Sequence, residues 1–232
     1  MGAANRPEKG KLEAELRQLG HFIVGIDEVG RGCWAGPVCA GAAILDYEKL
    51  SQLTDKERGL IRDSKLLSCG QRQAIVPIIH SIALATQVGW SSVREIETLG
   101  LQRAIYLAME RAVSQLTTAP TFALVDGTIT IPGIRIPQRS VVKGDQLCFA
   151  IAAAAILAKE ARDDYMRDME AAYPDFGFGS HVGYGTKTHS DAIARNGICE
   201  LHRRNFAPIA KALQLGASRL PHAESLDDWA RI

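Results

Sequence analysis

An apolar run over residues 22–26, broken only by Gly25, reads as a buried strand that ends at Asp27. Glycine then punctuates the chain: 30–37 is too glycine-rich for regular structure and reads as a turn. The apolar stretch 38–45 follows as a second strand, returning antiparallel, and 82–90 is a third. Between them, 62–65 is a polar loop and 70–80 reads as a helix that tolerates Pro77 as a kink. Leu101, Ile105, Ala108, Ala112 and Leu116 repeat at helical spacing, so 101–116 is an amphipathic helix. Residues 121–126 and 139–142 supply strands four and five. From 145 to 173 the pattern reads as one long helix, apolar all round at first and charged later, as expected for a central helix that emerges into solvent. Segment 174–185 is glycine-rich and helix-poor, and 188–195 and 205–213 read as short helices. Strands first, then helix and strand in alternation, then helices, predict an α/β fold: a mixed sheet flanked by helices.

Residues 1–20 form a polar lead-in without the apolar stretch of a signal peptide, and the tail after Gly216 is polar again. The longest apolar run, 147–158, is too short to span a bilayer, so a membrane is not an expected partner. Five scattered cysteines (Cys33, Cys39, Cys69, Cys148, Cys199) contain no Cys-x-x-Cys pair, which argues against a zinc ribbon and for a reducing, cytoplasmic setting. At 47% hydrophobic and 23% charged the chain can bury a core, and a net charge of +1 decides nothing about nucleic acid. Charge distribution says more. Over 180–213, Lys187, Arg195, Arg203, Arg204 and Lys211 outnumber Asp191 and Glu200, and His181, His189 and His202 lie among them. That stretch reads as a phosphate-facing surface or as an ordinary solvated helical face.

The chemistry concentrates in Gly25-Ile26-Asp27-Glu28-Val29-Gly30-Arg31-Gly32. Adjacent carboxylates at a strand end repel, each raising the other's pKa, and a divalent metal is the usual remedy. Asp126 ends another apolar run and Asp145 follows the fifth strand. Ligands in such sheets gather at strand ends, which is the reason to join Asp27, Asp126 and Asp145 in one site. Successive strand residues face opposite ways, so Glu28 joins Asp27 only if the strand ends or twists there. Taken singly, Asp126 is also a turn aspartate before Gly127, Asp145 a helix cap and Lys65 a surface lysine. Gly30-Arg31-Gly32 fits neither a P-loop nor a dinucleotide fingerprint. It does let backbone N–H groups approach a phosphate or sugar with Arg31 adding charge. Tyr184, between Gly183 and Gly185, is a stacking platform or a loop anchor.

In this order these segments resemble the ribonuclease HII family over about 22–213. The matching stretches are the Gly25–Gly32 octapeptide, Ala35-Gly-Pro-Val38, Asp63-Ser-Lys65, Val125-Asp-Gly127, Lys143-Gly-Asp145, Ile151-Ala-Ala-Ala154 with Ile156-Leu-Ala-Lys159, and the nonapeptide from His181 to His189. The resemblance implies a ribonuclease H-like fold of five mixed strands flanked by helices. It divides the chain into a catalytic domain at 21–175, a helical substrate-binding extension at 176–215 and a tail at 216–232. It implies hydrolysis of the RNA strand of RNA–DNA hybrids, and incision 5′ to single ribonucleotides in duplex DNA, by a monomer. It places two Mg²⁺ or Mn²⁺ ions on Asp27, Glu28, Asp126 and Asp145, an active-site lysine at Lys65, 2′-OH recognition on Gly30, Arg31 and Gly32, and junction stacking on Tyr184. Three positions depart from the family's habit: Val29 for alanine, Ala155 for serine, and Gln146-Leu147-Cys148-Phe149 for a more polar stretch. None removes a ligand. A catalytically silent nucleic-acid-binding protein on the same fold is the alternative, and it predicts lost carboxylates. Another metal nuclease of this fold would not need the Gly-Arg-Gly and Gly-Tyr-Gly elements.

Overall fold

A computed structural model describes residues 8–217. Its strands are β1 (Ile23–Val29), β2 (Val38–Leu45), β3 (Ala83–Ser91), β4 (Phe122–Asp126) and β5 (Gln138–Val141), in one sheet of order β3-β2-β1-β4-β5. β1, β2 and β3 run antiparallel, and β4 and β5 continue from β1 in parallel. The helices are α1 (Lys11–Gln18), α2 (Tyr47–Gln52), α3 (Asp55–Leu60), α4 (Cys69–Ile82), α5 (Val93–Leu99), α6 (Leu101–Ser114), α7 (Gly144–Leu147), α8 (Phe149–Ala172), α9 (Phe178–His181), α10 (Lys187–Asn196) and α11 (Ala207–Gln214). This is the five-stranded mixed sheet with flanking helices expected from the sequence.

Alternation along β1 sends its side chains to two different layers. Val24 and Ile26 join Ala40, Ala42, Ala123 and Val125 in a core closed by Ile105, Ala108 and Ala112 of α6. Ile23 faces the other way, into a cluster with Leu124, Val141 and Ile151 of α8. On the Ile23 face α8 lies directly on the backbone: a methyl on Gly25 would overlap the main chain at Ala150 and Ile151, and one on Gly41 the carbonyl of Ala154. The apolar first half of α8 is therefore the central buried helix that its composition foretold, with residues 150–158 all buried.

The stretch 145–173 is not one helix. α7 stops at Leu147, Cys148 is extended (φ −124°, ψ 133°), and α8 begins at Phe149. The break is held from a distance. Glu13 of α1, fully buried, accepts N–H bonds from Phe149 (2.9 Å) and Ala150 (2.8 Å) and the Tyr47 hydroxyl (2.7 Å). It thus caps α8 from outside the helix, a negative charge at its positive end. Burial raises the Glu13 pKa, against the pull of these bonds. Lys9 donates to the Asp145 carbonyl at 2.6 Å. The polar lead-in therefore fixes the start of both α7 and α8; its first seven residues, and the tail from 218 on, lie outside the described residues.

Three short helices went unpredicted (α2, α3, α5), residues 64–66 of the polar loop form a 3₁₀ turn, and 178–181 of the glycine-rich segment form one helical turn. Pro77 sits inside α4. Among the described residues no helix is long and apolar enough to cross a membrane.

Candidate active site

Ile26 of β1 and Val125 of β4 are register partners, so the next residues, Asp27 and Asp126, stand on neighbouring parallel strands and face the same side, toward α8. Lys143, held left-handed at φ 54°, turns the chain sharply after β5 and delivers Asp145 in the first turn of α7. The Gly144 N–H donates to Asp126 Oδ1 at 2.7 Å, tying α7 to the end of β4. Three acids from three elements thus converge at one end of the interior strands β1 and β4.

Their electrostatics record the crowding. Asp27 is pushed well above the usual carboxylate range, first by burial and then by Asp126, Glu28 and Asp145. Asp126 is raised by burial, against bonds from the Gly144, Asp145 and Gly127 backbone and the charge of Lys65. Asp145 is raised by burial, then by Asp63 and Asp126, with Lys65 opposing. Lys65 sits in the 3₁₀ turn that Asp63 caps, its own N–H donating to Asp63 Oδ1 at 3.0 Å, so the turn presents one cation to the acids.

Glu28 points to the opposite face from Asp27, as strand alternation requires, because β1 continues regularly to Val29. Its carboxylate meets Arg31 at 3.5 Å, and Gln102 of α6 accepts from the same guanidinium at 2.9 Å. Glu28, Arg31, Gln102, Tyr106 and Asp126 line a cavity of about 140 Å³ beside the strand ends, so Glu28 rejoins Asp126 around the rim of the sheet.

The donor set is all carboxylate oxygen, crowded and mutually repelling, which suits a hard divalent cation such as Mg²⁺ or Mn²⁺. Each acid meanwhile holds a local partner: Asp27 Oδ1 accepts the Glu28 N–H at 2.7 Å, Asp126 the Gly144 N–H, Asp145 the Gln146 N–H and Glu28 the Arg31 side chain. Among the described residues no three His, Cys, Asp or Glu side chains form a ready-made cage. The residues fit a metal by chemistry.

Gly30 is required by the fold: φ is +95°, and a methyl there would press on the Arg162 side chain. Gly32 has open space around it and no left-handed φ. The Tyr184 loop is joined to this turn, with the N–H groups of Trp34 (2.8 Å) and Ala35 (3.3 Å) both donating to the Gly183 carbonyl. Tyr184 is half-buried, and Lys159 of α8 lies over its ring at 5.2 Å. Burial and the adjacent Cys33 push its hydroxyl up to about 12.

The surface reading of 180–213 holds for Lys187, Arg195, Arg204 and Lys211, which are exposed, and fails for Arg203 and the histidines. Arg203, His181, His189 and His202 are buried, and Arg204 pairs with Glu97 of α5. The histidines form a closed hydrogen-bond chain. His189 Nδ1 donates to the Tyr184 carbonyl at 2.9 Å, the Cys199 N–H donates to His202 Nδ1 at 3.0 Å, and the two Nε2 atoms are 3.0 Å apart. The only neutral assignment consistent with these bonds has His202 Nε2–H donating to His189 Nε2. Burial lowers His189 to about 4, aided by His181, and His202 to about 3, aided by His189. The unfolded chain takes up these protons near pH 6.5. The pair's contribution to stability is therefore whole above about pH 6.5 and is lost as pH falls toward the folded values. We expect the ring resonances of both residues to stay flat from about pH 8 to 5 by NMR; a midpoint near 6.5 in either would contradict the closed chain.

Sequence reading missed Arg162, Lys159 and Gln102 as neighbours of these loops. The charged half of α8 was expected to emerge into solvent, but Glu160, Arg162 and Asp163 are buried there, the two acids paired with Arg72 of α4; nothing local separates an inward charge from a solvated one.

Comparison with known proteins places these motifs in context. The sequence pattern of the family described as Ribonuclease HII matches residues 24–209. The ribonuclease HII of Jannaschia sp. is 45% identical over 197 residues, 85% of this chain and 95% of that protein. That of Prochlorococcus marinus is 43% identical over 196 residues, 84% and 88% of the two chains. Among solved structures, ribonuclease H2 from Pyrococcus horikoshii superposes with a TM-score of 0.67 at 22% identity, covering 83% of this chain and 97% of its own. Bst-RNase HIII in complex with Mn²⁺ superposes at 0.64 and 21% identity, covering 83% and 69%. At those identities the structures speak for the fold alone.

Proposed function

Because the chain belongs to the ribonuclease HII family, and is thereby a hydrolase of the ribonuclease H class, we propose that it cleaves the RNA strand of RNA–DNA hybrids and incises duplex DNA 5′ to single embedded ribonucleotides. The observation that carries the reading is the convergence of Asp27, Asp126 and Asp145, from β1, β4 and α7, into one mutually repelling cluster with Lys65 beside it. With Glu28 at the rim, these acids are the proposed holders of two Mg²⁺ or Mn²⁺ ions. Such ions would supply an activated water and neutralise charge on the leaving oxygen.

The protein's own residues do the rest. Asp27 and Asp126, on adjacent parallel strands, fix one side of the site, and the Gly144 bond to Asp126 sets where Asp145 stands. Lys65 brings a positive charge to the same acids, where the scissile phosphate would lie. The backbone of Gly30, Arg31 and Gly32 reads the ribose 2′-OH, the one hydroxyl that separates RNA from DNA. Tyr184 stacks on the next sugar and demands deoxyribose there. The 2′-OH serves recognition, so the products carry 5′-phosphate and 3′-hydroxyl ends. The proposed role is removal of ribonucleotides and RNA primers from DNA, by a cytoplasmic monomer in which residues 176–215 help hold the duplex.

The test is a DNA duplex carrying one ribonucleotide, with and without Mg²⁺ or Mn²⁺, beside an all-DNA control. Metal-dependent nicking 5′ to the ribonucleotide, with the control intact, is the expected result. Binding without nicking would favour a silent module, and nicking of the control a general metal nuclease.

A further inference from the structure

Arg162 of α8 and Arg203, beyond α10, are both fully buried. Arg162 donates from Nε to the Pro37 carbonyl (2.9 Å), from Nη2 to Ala35 (3.0 Å) and from Nη1 to Val182 (2.9 Å). Arg203 donates from Nε to Gly36 (2.8 Å), from Nη2 to Pro37 (3.0 Å) and from Nη1 to Arg31 (3.3 Å). These six bonds go to main-chain carbonyls, not to carboxylates, so they satisfy the donors and leave the charge to be solvated by dipoles. Burying a cation is expensive, and burying two together more so. Burial, with Arg162 alongside, brings Arg203 down to about 9. Apolar side chains would close such a core at lower cost. What the pair gains must lie in what it holds.

The acceptors fall on just two segments. One is 31–37, the chain leaving Gly30-Arg31-Gly32. The other is Val182, the residue that opens the Tyr184 loop and is itself held left-handed at φ 44°. Arg162 bonds both segments at once. The Arg203 main-chain N–H closes the joint by donating to the Trp34 carbonyl at 2.8 Å. A guanidinium holds its donors on three nitrogens fixed in one plane and so sets where separated carbonyls stand, whereas the three donors of an ammonium turn about a single atom. We propose that Arg162 and Arg203 are positioning residues that set the separation between the Gly30–Gly32 backbone and the Tyr184 ring, and with it discrimination at the RNA–DNA junction. This rests on the reading of those two segments as the 2′-OH and junction contacts. Neither arginine touches substrate, since neither has exposed surface.

Arg162→Lys and Arg203→Lys keep the charge and lose the fork. Steady-state kinetics on a single-ribonucleotide duplex and on a uniform hybrid, normalised to folded protein, read the effect. The kcat/KM ratio between the two substrates should move against the single ribonucleotide by about tenfold or more, as misplacement of a recognition contact by a fraction of an ångström would give. An equal fall on both substrates would make the arginines structural only and overturn the inference. Should the lysine variants not fold, Arg162→Gln and Arg203→Gln keep an amide donor for part of the carbonyl set without burying a charge, and the same ratio should move. Tyr184→Ala separates the two levels. A ratio moved by Tyr184→Ala but by none of the other variants overturns this inference alone; a ratio unmoved by Tyr184→Ala overturns the junction reading and the inference with it.

Discussion

Asp126→Asn is expected to lower turnover on an RNA–DNA hybrid by about 10³-fold or more, while duplex affinity and melting temperature stay close to those of the parent. Asparagine has the shape of aspartate and keeps an oxygen for the Gly144 N–H, so the link between β4 and α7 survives. What goes is one negative charge. Asp126 is the foremost charged neighbour raising the Asp27 pKa, and it raises that of Asp145 as well. A carboxylate raised above its unfolded value costs the metal-free protein stability at neutral pH, a cost absent only at pH low enough to protonate it. Removing Asp126's charge should therefore leave the metal-free protein as stable as before or slightly more so. Loss of activity at undiminished stability is the signature of a residue retained for chemistry against the interest of the fold. Single-turnover cleavage, fluorescence anisotropy with labelled hybrid and thermal melting check the three parts. Turnover near that of the parent would remove Asp126 from the site, and a large drop in melting temperature would make it structural.

The parts of this site that local pattern can carry were legible. Asp27 and Asp126 stand out because an apolar run followed by Asp is visible in a few residues; β1 runs on to Val29 instead of ending at Asp27, and that continuation is what leaves Glu28 on the opposite face. The unpredicted helices also left local marks. Thr54 with Glu57 and Ser92 with Glu95 form capping boxes ahead of α3 and α5, and Asp46 caps α2. These are patterns of the Ser/Thr-x-x-Glu kind that sequence reading can find. Other features depend on contacts across the chain. The break at Cys148 follows from Glu13 capping α8 across more than a hundred residues. Arg203 looks like any surface cation until the carbonyls of 31–37 are folded around it. The same holds for His189 and His202, which read as surface imidazoles until the fold buries them and sets one against the other.

The glycines of the opening motif divide in a way that composition cannot show, and Gly25→Ala against Gly32→Ala should reveal it. At Gly25 a methyl would overlap main-chain atoms of Ala150 and Ile151, with no flexible side chain able to yield. α8 would have to lift from the sheet, and it would do so two residues before Asp27 and just beyond α7, which carries Asp145. Overpacking of this kind costs about 1–3 kcal/mol and sometimes more. Displacing one acid by about 1 Å can cost some 10²-fold in rate. Gly25→Ala should thus lose both stability and turnover, on both substrates alike. At Gly32 a methyl would meet nothing in the free protein, and φ is not left-handed, so the fold offers no reason for glycine there. Gly32→Ala should melt with the parent and still lose activity, and lose more of it on single ribonucleotides, because the space its methyl takes is the space the ribose would need. Full activity in Gly32→Ala would take Gly32 out of the 2′-OH reading. A melting loss there as large as that of Gly25→Ala would mean that the turn is packed for stability, not kept open for substrate.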